Sequence, residues 1–422
     1  MAQNVINVTD TAFLGRVSEV ALGASAIAGV FYFAIFMVGF GFSQGAQILI
    51  GRRNGEENYA QIGPIFNNSL IFNGLFAVVL FITTIIGMPS LMKFLVSSEH
   101  IYVATMEYLD WRIYGYFFVF LNVVFRSFYV GITDTRILTT SAVITAISNI
   151  LFDYLLIFGK FGFPELGIAG AAIASVIAEA TTLGYLFIHT IIYADLKKYG
   201  LFSSIKVDFK TLGQILNISI FIMFQFLISI STWFLFFIFI ERMGERPLAV
   251  TNIGRSMYIL LMIPASALST TAGTLVSNLI GAGQKDEVLK TVNRIIRIAL
   301  LFVAPLMIIT FIFPELFAHI YTDDLSLVAA SVPVIRTVSI AIAFFAMANV
   351  IINAVSGTGS TKIAFFIEIV TLFFYISFVY YTAIINPKEL YVVWFSEFIY
   401  WSFIGALGYI YLLKGNWKNN NI

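Results

Sequence analysis

Apolar runs of twenty or more residues, separated by short polar and charged clusters, recur from one end of the 422-residue chain to the other. Residues 24–50, 137–158 and 390–413 each reach the ~20 residues that a helix needs to cross the hydrocarbon of a bilayer. Reading the runs against the Gly, Pro and charge clusters that interrupt them predicts six spans near 1–15, 24–50, 60–88, 102–130, 137–158 and 167–193. Six more follow near 211–241, 248–278, 289–313, 327–356, 362–385 and 390–413. The longest polar connection, ADLKKYGLFSSIKVDFK at 194–210, falls almost midway. It reads as a cytoplasmic linker between an N-terminal lobe (1–193) and a C-terminal lobe (211–422). The predicted fold is therefore an all-α integral membrane protein of about twelve transmembrane helices in two six-helix lobes.

The two halves repeat. Displaced by 226 residues without gaps, Leu22 meets Leu248, Tyr32 meets Tyr258, Ser43 meets Ser269 and Gly55 meets Gly281. The same displacement works again much later, where Gly131 meets Gly357, Thr135 meets Thr361, Thr145 meets Thr371 and Tyr154 meets Tyr380. Recurrence of one displacement at two distant places marks a parallel internal repeat, with equivalent loops on the same side of the membrane. The repeat also exposes a shortfall: the counterpart of Thr211 would lie roughly fifteen residues before Met1. The first helix is therefore expected to be incomplete, through a late start or a truncated copy.

Composition agrees with the pattern. Residues of the AVILMFWYC class make up 59% of the chain and charged residues only 11%, which no water-soluble fold could hide. A formal net charge of +1 gives no hint of a nucleic-acid partner. Cysteine is absent, which removes disulfides, thiolate metal sites and cysteine nucleophiles together. His100, His189 and His319 are scattered, with no HExxH or serine-nucleophile context, so an enzyme is not expected. Lys and Arg set the orientation. One set of alternate connections carries Arg52, Arg53, Arg136, Lys197, Lys198, Lys206, Lys210, Lys285, Lys290, Arg294, Arg297, Lys362, Lys414 and Lys418. The other holds only Arg16, Lys93, Lys160, Arg242, Arg246 and Lys388, so both termini should be cytoplasmic.

Ionisable side chains within spans cost ~2.5–3.5 kcal/mol at a helix centre and point to function. Asp10 lies six residues before Arg16, and Asp153 seven before Lys160, which puts both about 9–10 Å inside the outer boundary. Asn149, four before Asp153, shares its helix face, and Ser175 reaches a similar depth. Two carboxylates, an amide oxygen and a hydroxyl form an all-oxygen set that suits a hard cation such as Na⁺, or else a proton. The repeat sets Tyr375 opposite Asn149 and Val379 opposite Asp153, so this cluster belongs to the first lobe alone. Asp110, Arg112 and Arg126, near span ends, are expected to snorkel or to pair locally. Glu179, Arg255, Arg336, Glu368 and Glu397 either line a substrate cavity or form fixed interhelical pairs. The glycines Gly39, Gly41, Gly45 and Gly51 along the second span suggest close helix packing.

NVTDTAFLGRVSEVALGASAIAG at 7–29, SQGAQILIGRRNGE at 43–56, SNILFDYLLIFG at 148–159, GIAGAAIAS at 167–175 and NLIGAGQ at 278–284 together resemble the multidrug and toxin extrusion (MATE) family, nearest its DinF-like branch. The resemblance implies a bacterial inner-membrane transporter of twelve spans that exports drugs or metabolites in exchange for Na⁺ or H⁺, without a further cofactor. It also implies small-molecule substrates, a lipid bilayer as the surrounding partner, and function as a monomer. The family's first-span Asp and Thr match Asp10 and Thr11, and its fifth-span Asn and Asp match Asn149 and Asp153. Its sixth-span Thr matches Ser175, a departure that keeps the hydroxyl. Acidic coupling residues that another branch places in the seventh and tenth spans have no clear counterpart here. Two rival expectations are a lipid-linked saccharide flippase, which would want a wider and more basic cavity, and an inactive truncated homologue.

Overall fold

The structure, a computed structural model, describes residues 9–10, 13–96, 98–203 and 206–420. The start of the first span at 1–8 and Thr11 lie outside the described residues. A short helical stretch at 13–17 (α1) precedes eleven helices that are long and apolar enough to span a membrane among the described residues. These are α2 (Val20–Gly55), α3 (Tyr59–Leu95), α4 (Glu99–Gly131), α5 (Arg136–Ile157), α6 (Gly167–Tyr193) and α7 (Phe209–Glu241). The remainder are α8 (Glu245–Gly281), α9 (Lys285–Ile312), α10 (Leu325–Gly357), α11 (Thr361–Ile385) and α12 (Leu390–Lys414). Ile86, Phe94, Leu301 and Phe373 lie on the outside, an apolar surface that lipid can cover and water cannot.

Two boundaries differ from expectation. The third span was expected to stop before Pro89, yet α3 continues through it to Leu95. Proline is tolerated in membrane helices because neighbouring groups satisfy the carbonyl it frees. The fourth span is not uniform, since a 3₁₀ turn at Ile113–Gly115 separates Glu99–Arg112 from Tyr116–Gly131. That interruption directly follows Asp110 and Arg112.

The chain divides into two compact units, Met1–Asn54 with Asn58–Ser219, and Gly55–Glu57 with Ile220–Ile422. The division lies inside α7, because the polar connection before it is tied to the first unit. The Phe202 N–H donates to Asn67 Oδ1 at 3.0 Å, and the Asp208 N–H donates to Asn68 Oδ1 at 2.9 Å. The Phe66 ring meets Phe202 edge-on at 5.5 Å. Asp208, at the head of α7, accepts from the Thr211 hydroxyl at 2.6 Å and from the Lys210 N–H at 3.0 Å. The Thr211 bond, before the others, holds its carboxyl below the usual carboxylate range.

In unit 1, α5 and α6 form a tight hairpin. Gly159 and Gly167 in its loop take φ of +62° and +52°, a region that favours glycine. A Cβ on Gly170 would lie 2.6 Å from the Leu156 carbonyl oxygen, so that glycine lets the two helices meet closely. In unit 2, α10 packs against α8, α9 and α12 and buries Val334, Ile342, Ala346 and Val355 at their junction.

Candidate functional site

The close approach of α5 and α6 creates a polar cluster. Asn149 and Asp153, one helical turn apart on α5, are both fully buried, and the Asn149 amide donates to Ser175 Oγ of α6 at 3.4 Å. Asp10, half-buried, turns its carboxyl toward both Asp153 and Asn149. The structure thus brings all four predicted residues together. Asp10 Oδ1, Asn149 Oδ1 and both carboxylate oxygens of Asp153 are buried without a hydrogen-bond partner. Leu14, Ile157, Ile168 and Ala172 pack with Tyr108 and Leu109 of α4 in an apolar cluster. Unpaired buried oxygens are costly, and two adjacent carboxylates more so, so this arrangement needs a positive charge to complete it. Among the described residues no group of three or more His, Cys, Asp or Glu could hold a metal ion. A hard cation here would rest on two carboxylates, an amide oxygen and a hydroxyl. A proton shared between the carboxyl groups would serve equally.

Beside this cluster stands an ion pair that sequence reasoning missed. Arg112 is buried and not snorkelling, and it pairs with Glu179 on α6 in place of a local partner. Its Nη1 and Nη2 donate to the two carboxylate oxygens of Glu179 at 2.9 and 2.5 Å. The Tyr32 hydroxyl donates to the same carboxylate at 3.3 Å, and the Tyr32 ring lies 3.6 Å from the guanidinium carbon. Tyr116 stacks on Tyr32 with centroids 5.1 Å apart, and the Asn122 amide donates to the Glu179 backbone carbonyl at 2.9 Å. A Cβ on Gly115, in the 3₁₀ turn of α4, would overlap the guanidinium, the carboxylate and the Tyr32 hydroxyl. The charge of Arg112 reaches Asp10, and Tyr108 lies in the field of Asp10, Asp153, Arg112 and Glu179 together. Two signals were available in the sequence, a Tyr that recurs in the repeat and a Gly one turn after an intramembrane Arg. Neither indicates that Arg112 and Glu179, 67 residues apart, would meet.

Glu179 belongs to unit 1, whereas Arg255, Arg336 and Glu368 belong to unit 2, and none of these three makes an ion pair among the described residues. Arg255 is half-buried with its guanidinium 5.1 Å from the Phe237 ring. Arg336 is exposed, and its Nε donates to the Phe311 carbonyl at 3.4 Å. Glu368 is buried among Ser229, Gln225 and Tyr400. Asp110 is exposed, and Arg126 lies 5.1 Å over the Phe40 ring. Arg112 is committed to Glu179, which removes one basic side chain from the wider and more basic cavity expected of a saccharide flippase.

Comparison with known proteins places this geometry. The MatE family model matches residues 1–155 and 221–381, one stretch in each half of the repeat. A protein of Thermotoga maritima named "Probable multidrug resistance protein NorM" is 26% identical over 430 residues, covering 100% of this chain and 92% of that protein. A protein of the same name from Rhizobium meliloti is 26% identical over 334 residues, covering 76% of this chain and 69% of its own. Among solved structures, the eukaryotic MATE transporter AtDTX14 superposes with a TM-score of 0.87 at 19% identity, over 99% of this chain and 93% of that one. An outward-facing multidrug resistance MATE transporter of the MOP superfamily superposes with a TM-score of 0.89 at 18% identity, over 98% and 91%. At these identities the structural likeness establishes the fold. With both halves matched over well more than half its length, and eleven helices among the described residues long and apolar enough to span a membrane, the chain belongs to the MatE family of multi-pass secondary transporters, which draw on ion gradients and are not enzymes.

Proposed function

We propose that this transporter exports small organic molecules, drugs or metabolites, by antiport with Na⁺ or H⁺, and that Asp10, Asn149, Asp153 and Ser175 take the coupling ion. The observation that carries the assignment is the set of four buried, unpartnered oxygens on Asp10, Asn149 and Asp153. Side-by-side carboxylates away from water repel strongly, and a cation or proton between them removes that cost. Coupling then requires that the ion bind the inward-facing and outward-facing states with different affinity, so that occupancy shifts the balance between them. The names of the relatives support a multidrug substrate range. The absence of Asp and Glu between residues 325 and 357 supports the DinF-like branch, which couples through its first half. The excess of Lys and Arg on alternate connections supports a bacterial cytoplasmic-membrane protein with both termini inside. A site contained in one unit of one chain supports a functional monomer.

The test uses purified protein in proteoliposomes with ethidium, a fluorescent lipophilic cation, as the reporter. Asp153→Asn should lower gradient-driven efflux at least about tenfold, a loss of ~1.4 kcal/mol or more in driving the cycle. Insertion and monodispersity should be unchanged. Efflux at the original rate would overturn the assignment. A Na⁺ gradient at constant pH, set against a pH gradient without Na⁺, identifies the coupling ion.

A further inference from the structure

We infer that Glu179 is a positioning residue for the coupling site: it holds the Arg112 guanidinium off Asp10 and Asn149, and so keeps their oxygens open to a mobile cation. The inference rests on the assignment of Asp10, Asn149, Asp153 and Ser175 to the coupling ion. Pair and site occupy successive turns of the same helices. Glu179 follows Ser175 by four residues on α6, so one face of that helix carries both, about 6 Å apart along the axis. Arg112 follows Tyr108 by four residues on α4, and Tyr108 packs with Leu14 and Ile157, each four residues on from Asp10 and Asp153. The guanidinium therefore stands one turn along from the contact of Asn149 with Ser175, and its charge reaches Asp10.

That neighbourhood attracts a cation. Asp10 Oδ1 and Asn149 Oδ1 are buried without a hydrogen-bond partner. A guanidinium keeps its charge and carries its donors in a rigid fork. With a side chain only 10% exposed, Arg112 has to find its acceptors inside the protein. Asp110, two positions earlier on α4, is exposed and does not share the Arg112 face. Every restraint on the guanidinium instead holds it toward Glu179. Both oxygens of that carboxylate accept from it, the Tyr32 ring covers its carbon, and Gly115 leaves free the space that a Cβ would fill. The Tyr32 hydroxyl and the Asn122 amide fix Glu179 in turn.

An ion pair out of water is often no better for stability than two well-packed apolar residues, so stability alone does not account for this one. What it prevents does. Without Glu179, a change of rotamer turns the guanidinium to Asp10 and Asn149, where it satisfies their open oxygens. Arg112 then becomes a tethered counter-ion in the place of the mobile one.

The test is ethidium efflux from proteoliposomes holding the full chain, read as the ion level that gives the half-maximal rate. The driving gradient is whichever works for the parent, Na⁺ at constant pH or pH without Na⁺. Glu179→Met, which keeps the length but removes both acceptors, should raise the Na⁺ requirement at least about tenfold, because a tethered competitor acts at high effective concentration. Under a pH gradient the half-maximal pH should move roughly one unit more acidic. Arg112→Met with Glu179→Met removes the competitor too, keeps the parent's net charge, and should return the requirement close to the parent's. A pair that only held helices together would leave the double variant no better than the single one. Glu179→Asp keeps the charge but withdraws it from the guanidinium, so a smaller rise there separates position from lost charge, and it also serves if Glu179→Met is not recovered folded. The inference is overturned if Glu179→Met or Glu179→Asp keeps the parent's ion requirement, or if the double variant does not recover. Asp153→Asn tells this failure from that of the coupling site. Efflux lost in Asp153→Asn but parental in Glu179→Met strikes the restraint alone, whereas efflux unaltered by Asp153→Asn removes the site and the restraint with it.

Discussion

Tyr32 in unit 1 and Tyr258 in unit 2 occupy equivalent places in the repeat, and each donates its hydroxyl to a glutamate on the last helix of its half, half-buried in the first and buried in the second. The glutamates, Glu179 on α6 and Glu397 on α12, are answered differently. Glu179 meets the guanidinium of Arg112 in a two-bond ion pair, whereas Glu397 rests on neutral donors from Tyr258, Trp401 and Tyr375. Tyr375 is also the residue that the repeat sets opposite Asn149. Unit 1 places a candidate ion ligand with a free oxygen at that position, and unit 2 places a further hydrogen-bond donor to its buried glutamate there. A site that exchanges an ion has to be left incomplete by the protein, whereas a structural acid is completed by it.

Removing the partner of each glutamate tests that contrast. The largest effect should come from Arg112→Met, which leaves the half-buried Glu179 without its cation at a cost of up to about 3–5 kcal/mol. Thermal unfolding in lipid should show it, and Arg112→Met with Glu179→Gln should recover most of the loss. A single variant as stable as the parent would show that the pair supports nothing. Next in size, Tyr258→Phe removes a hydrogen bond to an anion that has only neutral donors, at about 1.5–3 kcal/mol. The equivalent Tyr32→Phe should cost less, roughly 0.5–1.5 kcal/mol, because Arg112 stays in place. Equal losses at the two tyrosines would erase the distinction between the units.

The smallest effect concerns the head of α7. Asp208 is exposed, and its carboxyl is held below the ordinary range first by Thr211. A depressed pKa contributes stability that is present above the unfolded value of about 3.9 and is lost as pH falls through the folded one. The melting temperatures of the parent and Asp208→Asn should therefore differ slightly at neutral pH and converge in acid. A gap that persists at low pH would assign the effect to something other than the charge.

The spans were legible because a bilayer imposes one length scale on the chain. The sixth reads at 167–193 and is Gly167–Tyr193, whereas Pro89 misleads, since a rule from water is applied to a helix in lipid. The members of the candidate site could be collected from depth and helical spacing, because those coordinates belong to single helices. The ion pair of Arg112 with Glu179 could not. Which helices of a unit lie side by side is decided by close contacts such as Gly170 against Leu156, and the 3₁₀ turn that aims Arg112 depends on the small volume of Gly115. The polar stretch at 194–210 reads as a linker between the lobes, and nothing in it shows what holds it. Asn67 and Asn68, which bind its backbone, sit in a run otherwise indistinguishable from the start of any span.

That clamped connection has a practical consequence. A protein with no sulfhydryl of its own accepts a single one wherever an experimenter wants a probe. A spin label at Ser203, beside the backbone that Asn67 holds, reports the motion of unit 1 as one body. A label at Ser231, on the unit 2 stretch of α7, reports the other. Distances between such a pair, followed while the ion and ethidium are supplied in turn, would give a molecular ruler for the transport cycle without first engineering native cysteines away.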